Sequence, residues 1–156
     1  MTPATLHLRL SGKIFAACGI WLVLLGTYFL FLRPALLPED PRFIGSSLEA
    51  MRLAVPGLER WLRLVFNVMG GFMIATGVMT TLAACRLPAR RDLTSFFALV
   101  VAGAGSVGLM SVTNFLLNSN FRWLLVLPVL LWLAGLSFYL RERAISARQI
   151  DRVDQF

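Results

Sequence analysis

Residues 64–85 read LVFNVMGGFMIATGVMTTLAAC, twenty-two residues without a charge. About 20 apolar residues carry an α-helix across the roughly 30 Å of hydrocarbon in a bilayer, and an open strand edge does not survive in lipid. The stretch therefore predicts a spanning helix. Along it Asn67, Gly70, Ile74, Gly77, Thr81 and Ala84 recur at steps of three and four, and all but Ile74 are small or polar. Lipid gives helices little hydrophobic drive to associate, so they pair through close backbone approach along such stripes. Gly70, Gly77 and Thr81 are expected to pack on a neighbour, with Phe66, Met69 and Met73 facing lipid.

Three further uncharged runs flank this one, Ile14 to Leu32, Leu93 to Phe121 and Trp123 to Leu140, of 19, 29 and 18 residues. The second of these is too long for one upright helix, so its span is expected over 95–117, with Asn118, Ser119 and Asn120 turning into the next. The chain is 58% hydrophobic and 15% charged, against about 45–50% and about 25% in soluble domains. The expected fold is all-α: an integral membrane four-helix bundle in a single domain over 1–156, with spans near 14–32, 64–85, 95–117 and 123–140. In the third span Ala98, Ala102 and Gly105 line one face and Ala104, Gly108 and Ser111 another, which predicts a central position with packing through Ala104 and Gly108. Pro128, early in the fourth run, predicts a kink; the bulky residues around it predict a peripheral helix.

The net charge of +7 comes from fourteen Arg and one Lys against eight acids. Nucleic-acid binding would gather those cations on one soluble face. Here they sit in short groups beside the uncharged runs, the pattern of membrane topology. With four spans, Arg9, Lys13, Arg86, Arg90, Arg91, Arg141, Arg143, Arg148 and Arg152 share one side. Arg33, Arg42, Arg52, Arg60, Arg63 and Arg122 share the other. Nine against six places both termini in the cytoplasm of a bacterial inner membrane. Trp61 and Trp123 then fall at the outer interface. The first run reads as a span rather than a secretory signal, because 19 apolar residues exceed the usual apolar core of a signal and Arg33 to Pro38 offers no small-residue cleavage pattern.

The outer loop, residues 33–63, is punctuated by Pro34, Pro38, Pro41 and Pro56. Ser46-Ser47-Leu48-Glu49 predicts a capped short helix running to about Val55, with Leu48, Met51 and Val55 on one face, lying on the bilayer or over the bundle mouth. The basic tail, 141–156, spaces Ala147, Ile150 and Val153 at threes and predicts a surface helix on an anionic leaflet.

No Asp, Glu, Lys, Arg or His falls inside the four runs, whereas proton-coupled pumps and ion pathways keep such groups within the membrane. Cys18 and Cys85 stand alone, without a paired-thiol or zinc spacing, and read as apolar thiols. His7 reads as an interfacial residue. No cofactor and no metal is expected. Glu39 and Asp40, between Pro38 and Pro41, read as an exposed turn, with hard-cation ligation as the alternative.

Topology brings Tyr28, Asn67 and Asn114 to one outer depth, with Arg33, Arg63 and Arg122 just above. Two readings of this ring stay open. Asn67 and Asn114 bond each other across the packing seam, or the ring holds a lipid head group, a quinone or a small anion.

The stretches Leu32 to Asp40 with Arg42-Phe43, and Val68 to Phe72, set in four short spans with a basic tail, resemble small four-helix bacterial membrane proteins, DoxX-like ones included. The resemblance is architectural, carries over no catalytic residue, and implies a small membrane module. The expected function is a non-catalytic one, in association with membrane lipid, a partner membrane protein or a second copy. The alternative is a small transport or ligand-binding protein with an outer-leaflet pocket.

Overall fold

The computed structural model describes residues 9–86 and 93–153, which are all helix and turn, with no strand among them. In chain order the elements are α1 (Leu10–Phe31), α2 (Glu39–Ile44), α3 (Leu48–Ala54), α4 (Leu58–Arg86), α5 (Leu93–Gly103), a π-helical turn (Ala104–Gly108), α6 (Leu109–Leu116) and α7 (Val126–Val153). α5, the π turn and α6 form one continuous helix of 24 residues. That helix, α1 and α4 are long and apolar enough to cross a membrane. α7 differs: it begins only at Val126 and meets Arg141 after 15 uncharged residues. His7, Arg90 and Arg91 lie outside the described residues, as do the side chains of the tail from Ala147 onward.

The long helices stand in a row rather than around a central third span. α1 packs between α4 and α7, and α7 packs on its far side against α5 and the π turn. The fourth long helix is thus internal and the third lies at an edge, the reverse of the expectation from small-residue stripes. The cause is in α1, which presents two buried lines side by side. Ser11, Phe15, Cys18 and Leu22 form one, and Gly12, Gly19 and Gly26 form the other.

The glycine line meets the stripe of α4 in antiparallel register. A Cβ added to Gly19 would stand 2.6 Å from Gly77 O, and one added to Gly77 would stand 2.5 Å from Gly19 O. Seven residues along each helix, Gly26 and Gly70 repeat this reciprocity at 2.6 and 2.8 Å. Seven residues the other way stand Gly12 and Ala84, both buried. Thr81 also meets Gly19, and its hydroxyl donates to Gly77 O at 2.8 Å. A glycine inside a helix costs about 1 kcal/mol relative to alanine. Here its missing Cβ lets two backbones touch, the packing that lipid-embedded helices depend on.

The other line of α1 meets α7. Phe15 and Trp132 pack edge to face with centroids 5.4 Å apart, while Trp132 Nε1 donates to Leu99 O on α5 at 3.0 Å. One indole therefore joins three helices. Gly103 lies against that ring, and a Cβ there would collide with Trp132 Nε1. Tyr139, fully buried, stacks on Phe96 at 6.0 Å. Phe15, Cys18, Leu22, Ala84, Leu99, Val107, Trp132 and Tyr139 make up the core.

Two details differ from the sequence expectation for physical reasons. Pro128 falls in the first turn of α7, where backbone N–H groups have no intrahelical acceptor, so it opens the helix instead of kinking it. Ala104 is exposed, and the buried line of the third helix is Leu99, Gly103, Val107 and Ser111. Residues four apart in an α-helix drift by about 40° per step. The wider π turn offsets that drift and keeps these four on one side, turning Ala104 away; Gly108 is half-buried and approaches its own helix at Gly103 O.

Candidate functional site

The polar residues singled out from the sequence gather at the end of the row where α1 runs into α2 and α6 turns into α7. α1 stops there because Leu32 and Arg33 precede Pro34, which disfavours helical backbone before it. The N–H groups of Leu32 and Arg33 both reach Tyr28 O at 2.9 Å. Next comes α2, which the sequence expectation missed. Its first residue, Glu39, is 2% exposed, so the exposed turn expected there is overturned. The Asp40 carboxylate turns back instead to accept the N–H of Leu37 at 2.8 Å. α2 ends at Gly45, whose φ of 76° is left-handed, with Ser46 N–H closing on Pro41 O at 3.0 Å. Ser47 rather than Ser46 caps α3, its hydroxyl oxygen accepting from Ala50 N–H at 3.1 Å. Met51 is buried, whereas Leu48 and Val55 are exposed.

The expected ring of six divides in two. On the α1–α4 side, the Arg33 guanidinium lies 3.6 Å from the Phe66 ring centroid and 5.3 Å from that of Phe29. It also donates to Pro34 O at 2.9 Å. Burial pushes its pKa below the usual arginine value, against the opposing pull of Asp40, Tyr28 and Glu39. Tyr28 is half-buried nearby on α1 and packs edge to face on Phe29. Arg63 and Asn67 are exposed on α4.

On the other side, Asn114 gives its amide to Met110 O at 2.9 Å within its own helix. The bond expected between Asn67 and Asn114 is therefore absent; no substantial packing joins α4 to the third long helix among the described residues. Arg122, half-buried, borders a cleft of about 250 Å³ with Arg42, Asn118, Ser119, Asn120 and Trp123. Beneath it, the Ser119 hydroxyl donates to Glu39 Oε1 at 2.8 Å, a buried bond across 80 residues, and accepts from Phe121 N–H at 3.2 Å. Arg42 stands one helical turn beyond Glu39 on α2. Arg122 stands three residues beyond Ser119 and donates its N–H to Ser119 O at 3.3 Å. The buried bond thus sets both arginines at one mouth.

A second cleft, of about 270 Å³, lies between α3 and the start of α4, bordered by Met51, Val55 and Leu58 and by the exposed ion pair of Arg52 with Glu59 at 2.7 Å. No group of three or more His, Cys, Asp or Glu side chains converges as a metal site among the described residues. Cys18 is buried in the core and Cys85 half-buried on α4, both as free thiols. No known protein family, curated protein or solved structure matches the chain.

Proposed function

We propose that the protein is an integral protein of the bacterial inner membrane, a non-catalytic module of four spans with both termini in the cytoplasm. In this reading it associates with membrane lipid, a partner membrane protein or a second copy. The observation that carries it is the pair of open edges of the helix row. Val68, Phe72 and Met79 on α4, and Phe97, Val101 and Val112 on the third long helix, are 57–70% exposed. A soluble monomer rarely leaves contiguous apolar faces of this kind, and lipid or a lipid-embedded partner covers them at no cost. α7 joins as the short fourth span. Its 15 uncharged residues rise about 22 Å, and Arg141 and Arg143 extend its reach by snorkelling. Trp61 and Trp123, exposed at the loop end, supply the interfacial aromatics of the outer face. Membership of the DoxX-like group belongs to this proposal at the level of architecture.

Alkaline carbonate extraction followed by native mass spectrometry tests the reading. The chain is expected to stay with the membrane and to appear above its own 17.3 kDa, carrying lipid, a second copy or another protein. Release into the soluble fraction rejects the membrane reading, and a bare chain after gentle extraction rejects the association. Reporters fused after Arg91 and within 33–63 test orientation; periplasmic activity at Arg91 reverses it.

A second reading, a small transport or ligand-binding protein with a pocket at the loop end for a lipid, quinone or small anion, is favoured by the cleft beside Arg122.

A further inference from the structure

We infer that this cleft holds a phosphate group, presented either by an anionic phospholipid or as free phosphate; the inference rests on the membrane reading above and deepens the pocket reading. Two arginines line the cleft, and neither Arg42 nor Arg122 has an ion-pair or hydrogen-bond partner for its side chain among the described residues. The same holds for the amides of Asn118 and Asn120, both exposed. The one carboxylate joined to the cleft wall, Glu39, is buried and engaged by the Ser119 hydroxyl, so the mouth offers donors. Guanidinium forks pair bidentately with phosphate oxygens, and the amides add neutral donors beside them.

Position and size narrow the ligand further. At about 250 Å³ the cleft is below the roughly 300–1,000 Å³ of pockets that enclose drug-sized ligands, so it suits a head group and not a whole lipid. It sits where α6 ends at Leu116 and before α7 begins at Val126, the level at which acyl chains give way to head groups. Trp123, 71% exposed and packed edge to face on Phe115 at 5.2 Å, is an amphipathic ring of the kind that sits at that level. The turn there closes on the helix before it: Asn118 takes a left-handed φ of 51° and Ser119 N–H returns to Asn114 O at 3.0 Å.

The test uses the full chain in detergent, titrated with dioleoyl phosphatidylglycerol or dioleoyl phosphatidylcholine and read by native mass spectrometry, with inorganic phosphate as competitor. One phosphatidylglycerol is expected to bind in preference to phosphatidylcholine, and Arg42→Gln/Arg122→Gln is expected to weaken it by about tenfold or more, the scale of lost charge-assisted hydrogen bonds. Arg60→Gln, exposed on α4 away from the cleft, is expected to leave it unchanged. Binding of inorganic phosphate with the same arginine dependence, and no preference between the lipids, assigns the site to the free anion. Equal binding of both lipids together with no phosphate binding overturns the inference, and so does an undiminished affinity in the double variant. Arg42→Gln alone, at an exposed position, carries the test should the double variant not fold. A chain that stays in the carbonate pellet while failing this test loses the site and keeps the membrane reading.

Discussion

Ser11 gives its hydroxyl to Glu142 Oε2 at 2.6 Å and its backbone N–H to Oε1 at 3.3 Å, so a carboxylate from α7 closes the first turn of α1. A helix start leaves its first N–H groups without partners and carries partial positive charge, and an anion there is favourable on both counts. Arg9 adds a bond from its guanidinium to the Ser146 hydroxyl at 3.3 Å. A double-mutant cycle of Ser11→Ala and Glu142→Gln, followed by unfolding in mixed micelles, is expected to give a coupling of about 1–2 kcal/mol. Glu142 takes part in a further interaction, which the cycle separates from the coupling. Additive single effects would reject the pairing.

The α1–α4 seam makes a steric prediction. Gly77→Leu forces side-chain atoms into the backbone of α1 at Gly19 and is expected to destabilise the protein by about 1–3 kcal/mol. Gly71→Leu, where nothing stands within 4 Å, should be near neutral. Matched thermal denaturation in detergent reads both, and equal effects at the two glycines contradict the packing described.

Trp132 allows a ranking. Trp132→Phe keeps a ring against Phe15 but loses the donor to Leu99 O, a loss of about 0.6–2 kcal/mol by analogy with interhelical hydrogen bonds in lipid. Gly103→Ala drives a methyl group into the indole and is expected to cost more, about 1–3 kcal/mol. The reverse order in a denaturation series would show that the backbone at Gly103 does not press on the indole.

Arg33 over Phe66 is testable by accessibility. A guanidinium stacked on an aromatic face gains about 0.5–2 kcal/mol depending on its exposure, and Phe66→Leu removes that face while keeping apolar bulk. Labelling of Arg33 by phenylglyoxal, read by peptide mapping, is expected to accelerate in Phe66→Leu and to remain slow in Trp61→Leu. Equal rates would show that Arg33 does not rest on the ring.

The long helices are legible in the sequence because uncharged length alone demands them, and half of the main seam is legible on α4, where small residues interrupt bulky ones. Its other half, Gly12, Gly19 and Gly26, is written at intervals of seven in α1, but that helix is apolar on every side and offers no polar contrast to set the glycines apart. The order of the row was misread for a related reason. The small residues of the third helix mark two faces only if its phase is that of an unbroken α-helix, and the π turn shifts that phase. For the candidate site, distance along each span gives depth, so Tyr28, Asn67 and Asn114 were placed at one level. Direction around the axis depends on which helices are neighbours, and Asn67 and Asn114 lie on opposite edges of the row. Arg42 is not singled out by sequence because an exposed turn at Glu39 and Asp40 gives no reason to bring it to Arg122; the signal is Glu39, an acid one turn before it that α2 buries.

The two interfaces of α1 also differ in when synthesis can complete them. The glycine seam needs only residues up to Ala84, so the first hairpin has its full contact surface while the second half of the chain is still on the ribosome. The carboxylate that closes the start of α1 is separated from Ser11 by 131 residues and is made well after it. Until then the opening turn of α1 stays uncapped, and the arrival of α7 completes a helix translated before it.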